Sequence, residues 1–400
     1  MRRFLVASGI VGFCLLNGIH AVLYNLYLLR LGYGAEFIGW VNAVGTFSFA
    51  FFAFPAGWLA SRIGVRRTMT LGLVISALGY GLLSIGDMVS PPARDVWLIA
   101  NRVVAIVGLT LFFVNSTPFL AGATTEEERN HAYSMRMVLD SLAGFSGSLV
   151  GGVLPGLIAT LLGTSPEHPA AYRYALLAAS VLCLPAAWVL SSVREVETER
   201  EAGQAAVGGK GAIPVALIGS MALVVLLRGA GVGTSRTFFN VYMDDGLGVS
   251  TAQIGMIFAV IQLLSAPVAL LTPTLTARWG TFRVALVGSV GIALSMLPIA
   301  LVPHWAAATA GQVGIYSLSS IADVSLSAYQ MALVPPRWRT YMAGATSTAM
   351  GLSWTALSVG GGYLIAGLGY RELFLLAGGL TALGTVLLGL SFGRRSIPRD

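Results

Sequence analysis

From Phe4 to Leu29 the chain runs without one Asp, Glu, Lys or Arg, and about 20 apolar residues are enough to cross the hydrocarbon core of a bilayer. Runs of this kind recur along the whole sequence. One ends at Gly57-Trp58-Leu59-Ala60-Ser61-Arg62-Ile63-Gly64-Val65-Arg66-Arg67, where a short Arg-rich turn leads into the next run. The same transition returns at Pro273-Thr274-Leu275-Thr276-Ala277-Arg278-Trp279-Gly280-Thr281-Phe282-Arg283. Leu, Arg, Gly and the final Arg stay in register between the copies, with Arg62 and Arg278 separated by 278 − 62 = 216 positions. A duplicated turn between membrane-length runs makes the chain two homologous halves in a membrane.

Composition agrees. The chain is 56% apolar and 10% charged, whereas a soluble surface needs roughly a quarter charged residues. The first run is too long for a signal-peptide core and no small-residue cleavage site follows promptly, so it reads as a retained helix. The net charge of +7 is topological. If the chain crosses twelve times, Arg2, Arg3, Arg62, Arg66, Arg67, Arg129, Arg136, Arg194, Arg200, Lys210, Arg278, Arg283, Arg337, Arg339, Arg394, Arg395 and Arg399 share one side, and the other keeps only Arg30, Arg94, Arg173 and Arg371. Excess Lys and Arg marks the cytoplasmic face, which puts both termini on the cytoplasmic side of a cell membrane. No nucleic-acid module is visible. Cys14 and Cys183 lie within apolar runs, which offers no disulfide framework and no metal cluster.

The expected fold is an all-α membrane protein of twelve transmembrane helices arranged as two six-helix repeats. The predicted spans are about 4–29, 36–60, 68–87, 96–122, 132–162, 171–193, 212–243, 252–276, 281–302, 305–333, 340–367 and 371–392. Residues 194–211, rich in Glu, Gly and Gln, form the linker between an N-terminal bundle, 1–193, and a C-terminal bundle, 212–400. Further repeats support the division. Tyr24-Asn25-Leu26-Tyr27-Leu28 echoes Phe239-Asn240-Val241-Tyr242-Met243, Ile38-Gly39 echoes Ile254-Gly255, and Gly151-Gly152 echoes Gly361-Gly362. The 49 glycines suit close helix packing in lipid.

An ionisable group inside a span costs at least ~2.5 kcal/mol on insertion scales and is a functional candidate by default. His20, Arg102, Asp140, Arg228, Arg236 and Asp323 qualify. Asp140 and Asp323 each fall roughly 15 Å from the inner end of their helices at 1.5 Å per residue, near the midplane, while Arg102 and Arg236 fall in the outer half. The tenth span carries a polar stripe at helical spacing, Gln312, Tyr316, Ser319, Asp323, Ser327 and Gln330. The first span carries another, Asn17, His20, Tyr24 and Tyr27. Such stripes face a water-filled cavity or a partner helix. A buried carboxyl has a raised pKa and a nearby Arg lowers it, so Asp323 and Asp140 can act as proton carriers. The alternative is a fixed ion pair, for example Arg228 with Asp323. Gly144-Phe145-Ser146-Gly147 has the form of an intramembrane serine protease motif, but twelve spans in two repeats argue against that chemistry. No nucleotide-binding or metalloprotease motif is present, so energy must come from an ion or substrate gradient.

The first Arg-rich turn resembles the G-x-L-a-D-r-x-G-r-r loop of the major facilitator superfamily, with Ser61 in place of that family's acid. The resemblance covers nearly the whole chain. It implies a gating loop built from Gly57, Ser61, Arg62, Gly64 and Arg67 with Arg278, Gly280 and Arg283, and Glu126, Glu127 and Glu128 as substitutes for the missing acid. Leu98-Ile99-Ala100-Asn101-Arg102 resembles the family's proton-coupling motif on its fourth helix, lacking the following Gln-Gly. Gly147-Ser148-Leu149-Val150-Gly151-Gly152 resembles the antiporter motif of the fifth, with Ser for Pro. The family's central cavity is lined by helices 1, 4, 7 and 10, which implies cavity roles for Asn17, His20, Tyr24, Arg102, Asn115, Arg228, Arg236, Asn240, Gln262, Tyr316, Ser319, Asp323 and Ser327. Coupling falls to Asp323, Asp140 and Arg102. The expected function is proton-coupled efflux of a small amphipathic or drug-like solute by rocker-switch alternating access. Uptake or exchange of an anionic or polar metabolite is a second reading, drawn from the three intramembrane Arg residues; a lipid flippase or a non-transporting receptor is a third. The implied partners are a small-molecule substrate, protons or another coupling ion, and the lipid bilayer, with no cofactor and a monomeric chain.

Overall fold

The computed structural model describes residues 2–124, 126–193, 195 and 214–393, without the side chains of 126, 127, 129–131, 133 and 134. The expected linker therefore lies outside the described residues apart from Glu195. The helices are α1 (Arg2–Val11), α2 (Ile19–Arg30), α3 (Ala35–Ile63), α4 (Val65–Ser84), α5 (Pro91–Gly122), α6 (Glu126–Leu162), α7 (Pro169–Ser191), α8 (Val215–Val241), α9 (Thr251–Leu270), α10 (Thr272–Trp279), α11 (Thr281–Leu301), α12 (Trp305–Leu333), α13 (Arg339–Leu368) and α14 (Tyr370–Phe392). With α1–α2 and α9–α10 each forming one interrupted span, they make twelve membrane-length rods. Among the described residues nine are long and apolar enough to cross a membrane; α4, α12 and α13 fall outside that group. Large apolar side chains such as Phe54, Leu161, Trp188 and Leu390 are exposed, the pattern of a surface solvated by lipid.

Two compact units account for the chain. The first holds Met1–Glu199 together with Met243–Leu263, and the second holds Arg200–Tyr242 with Leu264–Asp400. Most of α9 thus packs with the first unit although it stands in the second half of the sequence.

The repeat is written into the backbone. Positive-φ residues among those described are all glycines, and they fall in repeat-related pairs: Gly32 with Gly248, Gly64 with Gly280, and Gly163 with Gly369. Gly64 (φ 98°, ψ 149°) joins α3 to α4, and Gly280 (φ 80°, ψ 154°) joins α10 to α11. A residue with a Cβ is strained there. Packing repeats as well. In the first unit α4 lies on α5 and α7, and in the second α11 lies on α12 and α14. A methyl on Gly72 of α4 would stand 2.5 Å from the Gly108 carbonyl oxygen of α5. At the equivalent crossing, one on Gly288 of α11 would stand 2.8 Å from Ala322 Cβ of α12.

Two expected spans are not continuous. The first, 4–29, passes from α1 into a π turn at Gly12–Leu16 and is broken at Asn17 and Gly18 (φ −101°, ψ −128°). A Cβ on Gly18 would run into the Phe13 carbonyl, so the break needs glycine. The span expected at 252–276 divides at Leu271, two residues before Pro273, which has no N–H to donate to the preceding turn.

Candidate functional site

In the second unit, α8 carries two guanidinium groups in different circumstances. Arg228 is buried and forms an ion pair with Asp323 of α12; its other terminal nitrogen reaches Ser289 Oγ at 3.5 Å. The Arg228 side chain is 3% exposed and that of Asp323 is 42% exposed. Two turns further along α8, Arg236 is exposed. Its guanidinium lies over the rings of Tyr316 (5.7 Å) and Trp354 (5.3 Å). Gln312, fully buried on α12, accepts a hydrogen bond from Ser235 at 2.7 Å. Ser319 donates to its own helix at the Tyr316 carbonyl. Asn240 is buried, with its side-chain oxygen accepting from the Val241 N–H. Ser327 is exposed on α12.

The first unit holds a parallel cluster. Arg102 of α5 lies 4.5 Å above the Tyr24 ring and 5.8 Å from that of Tyr80, and donates to Tyr80 Oη at 3.3 Å and Asn42 Oδ1 at 3.5 Å. Glycine at position 45 makes room: a Cβ there would stand 2.9 Å from Arg102 Nε. His20 is buried, 3.2 Å from Ser180 Oγ, and stacks on Tyr80 at 4.5 Å. Tyr27, the last of the expected first-span stripe, is spent on structure, donating to the Ser84 carbonyl at 2.8 Å.

The break in the first span exposes the Asn17 carbonyl, which accepts from Ser148 Oγ at 2.8 Å and Gln262 Nε2 at 2.9 Å. Gln262 also donates to Ser148 Oγ at 2.8 Å. Gln262 therefore stands with α6 and the broken helix. Asn115 is buried and donates to the Leu111 and Ala56 carbonyls, which ties α5 to α3. Asp140 accepts from Ser8 Oγ at 3.1 Å and pairs with Arg136 one turn away, at 3.5 Å.

Internally repeated helical rods, intramembrane cations and a broken first helix mark a solute carrier, and comparison with known proteins decides the family. The sequence matches the Major Facilitator Superfamily over residues 6–357 and again over 221–400. The chain belongs to that superfamily and is a transporter. It is 24% identical over 382 residues to the multidrug resistance protein MdtH of Salmonella typhimurium, covering 92% of this chain and 89% of the relative. The multidrug transporter mfsC of Aspergillus fumigatus is 29% identical over 154 residues, 38% of this chain and 28% of that protein's length. The inward-open xylose transporter XylE from E. coli shares the fold, with a TM-score of 0.75 at 12% identity, covering 100% of this chain and 97% of that one.

At the Arg-rich turn of the transporter, Ser61 donates to the Trp58 carbonyl of its own helix and Arg62 stacks on Trp58 at 4.3 Å. Glu195 is an acid that meets this turn. It accepts the Arg66 N–H at 2.8 Å and pairs with Arg66 Nε at 3.4 Å. Glu195 caps the first turn of α4 from outside, since Gly64 at the N-cap has no side chain to do so. Of the expected substitutes, the side chains of Glu126 and Glu127 lie outside the described residues. In the second copy, Gly280 keeps the conformation of Gly64, and no methyl clash arises there.

At the opposite end of the first unit, Arg30 grips Asp244 with two hydrogen bonds of 2.7 Å and also pairs with Glu167. Sequence reading passed over this pair because each residue ends a span and resembles an ordinary interfacial charge. It also passed over Trp354. The signal for Trp354 was the Gly229 and Gly233 spacing on α8, where a methyl at Gly233 would stand 2.5 Å from the indole.

Proposed function

We propose that the transporter exports a small amphipathic solute, driven by inward proton flow, through alternating access. The carrying observation is the unequal pair of Arg228 and Asp323. The carboxylate is reachable by solvent while its cation is buried. Asp323 lies ten residues from the Leu333 end of α12, about 15 Å along the helix and thus near the middle of a span. Protonation removes the negative charge and releases Arg228 from the pair; deprotonation restores it. This gives one element two states that a proton selects between. The names of MdtH and mfsC as multidrug proteins favour export. Asp140, held by Arg136 and Ser8, is the second proton candidate, and Arg102 of α5, held by Tyr80 and Asn42, is the third coupling residue. The two Arg-rich turns act as the gating loops on the cytoplasmic side of the cell membrane, where both termini lie, and the monomer is the working unit.

The test uses purified full-length protein in proteoliposomes with a pH gradient and a panel of amphipathic solutes. Export predicts solute-stimulated proton flux and gradient-dependent accumulation. Solute movement that ignores the pH gradient overturns the coupling. Single-cysteine labelling checks orientation: Cys at Ser90 reacts from outside, and Cys at Gln204, outside the described residues, from inside. The reverse pattern overturns the topology.

A further inference from the structure

Arg236 differs from Arg228, the other guanidinium of α8. It carries no carboxylate partner among the described residues, whereas Arg228 on the same helix has Asp323. It is nonetheless ten residues inside the Gly246 end of its span. An exposed guanidinium at that depth cannot face hydrocarbon without a cost of at least ~2.5 kcal/mol, so it faces water or a ligand.

Its surroundings define the chemistry. Tyr316 and Trp354 flank the guanidinium with two aromatic faces. Trp354, whose ring lies under the guanidinium, and Gln312, one turn before Tyr316 on α12, each carry a donor left over. Trp354 Nε1 and Gln312 Nε2 are both buried without a hydrogen-bond partner, and the Gln312 acceptor oxygen is already taken by Ser235. Buried donors of this kind are costly unless something accepts from them. A planar guanidinium with neighbouring donors matches a carboxylate, which accepts two parallel bonds. Aromatic walls match a flat apolar body. A cationic solute would meet the charge of Arg236.

Repeat symmetry sharpens the point. Arg102 stands twelfth in α5, counted from Pro91, and Tyr316 stands twelfth in α12, counted from Trp305. The duplicated position is a cation in one unit and an aromatic ring in the other, and the second unit takes its cation from α8 instead. A cation kept only to hold the repeated fold together would stay at one repeated position.

We infer that Arg236, Tyr316, Trp354 and Gln312 form a subsite for the carboxylate of an amphipathic, aromatic solute. This rests on the export reading above and names the charge class of what is carried.

Purified full-length transporter in detergent is titrated with 1-naphthoate and with 1-naphthylmethylammonium, following tryptophan fluorescence and the melting midpoint. The expected result is stabilisation by naphthoate and not by the ammonium compound, with Arg236→Gln weakening naphthoate about tenfold or more and Arg236→Lys falling between. Trp354→Phe weakens binding and reduces the fluorescence change. Wild-type naphthoate affinity in R236Q, or equal binding of the ammonium compound, overturns the inference. Should R236Q fail to fold, Gln312→Leu and Trp354→Phe decide it, and wild-type affinity in both overturns it. Flux separates this inference from export itself. Proton-driven movement of naphthylmethylammonium that R236Q leaves intact keeps export and overturns the carboxylate subsite. Arg236-dependent naphthoate binding without proton-driven flux keeps the subsite and overturns export.

Discussion

Arg228 and Asp323 form an ion pair with its two ends in different media: the guanidinium is sealed between α8 and α12, and the carboxylate keeps contact with solvent. The consequences of breaking it are unequal. Asp323→Asn strands a buried cation, at a cost on the order of 3 kcal/mol. Arg228→Met leaves a carboxylate that reaches water, at a cost nearer ~1 kcal/mol. Thermal melts of both variants check the order. In proteoliposomes, Asp323→Asn should also abolish pH-driven accumulation while leaving solute exchange in place, since Asn keeps the shape and loses the titration. Wild-type accumulation in that variant returns the pair to a purely structural role.

The two Arg-rich turns share a backbone but not a neighbour. Gly64 and Gly280 both have positive φ, so an added Cβ costs roughly 1–2 kcal/mol of strain at either. Only at Gly64 does that Cβ also press on the Glu195 carboxylate, at 2.8 Å. Gly64→Ala should therefore lower the melting midpoint more than Gly280→Ala. Adding Glu195→Ala to both should shrink the difference. An equal loss in the two single variants would mean that Glu195 contributes nothing to the turn.

Close approach makes a different prediction. A methyl on Gly108 would stand 2.5 Å from the Gly72 carbonyl oxygen and 2.8 Å from Ser76 Cα, both backbone atoms that cannot swing aside. Gly108→Ala should cost roughly 1–3 kcal/mol through overpacking. Nothing stands within 4 Å of a methyl on Gly156, and Gly156→Ala should be neutral or stabilising by up to about 1 kcal/mol through helix propensity. Melting of the two variants side by side decides the point.

The twelve rods and their duplication were legible because hydropathy and the Arg-Gly turns are local signals, repeated in order. Gly64 and Gly280 kept even their dihedral angles in common. The partners of individual side chains were not legible, because they depend on which helix faces which. Asn115 and Tyr27 look like cavity residues on a helical wheel, yet the Asn115 amide nitrogen and the Tyr27 hydroxyl donate to backbone carbonyls of neighbouring segments. Glu195 stands 129 residues from Arg66, and no periodicity links them. The interruption at Gly18 hides inside an apolar run, since a hydropathy count does not register where a carbonyl is left without its helical donor.

That carbonyl supplies a further test. Asn17 O receives hydrogen bonds from Ser148 Oγ and from Gln262 Nε2. Either donor alone keeps the oxygen satisfied. Ser148→Ala or Gln262→Leu should each cost about 1 kcal/mol or less, while the double variant leaves the acceptor without either side-chain donor and should cost more than the sum of the two single losses. The double-mutant cycle should thus show a positive coupling energy, measured by urea or thermal unfolding in detergent. Because the same break sits between His20 and the α6 glycines, the double variant should also slow solute flux more than either single one. Additive losses in both measurements would mean that the Asn17 carbonyl is satisfied elsewhere, and that the break in the first span is not held by these two side chains.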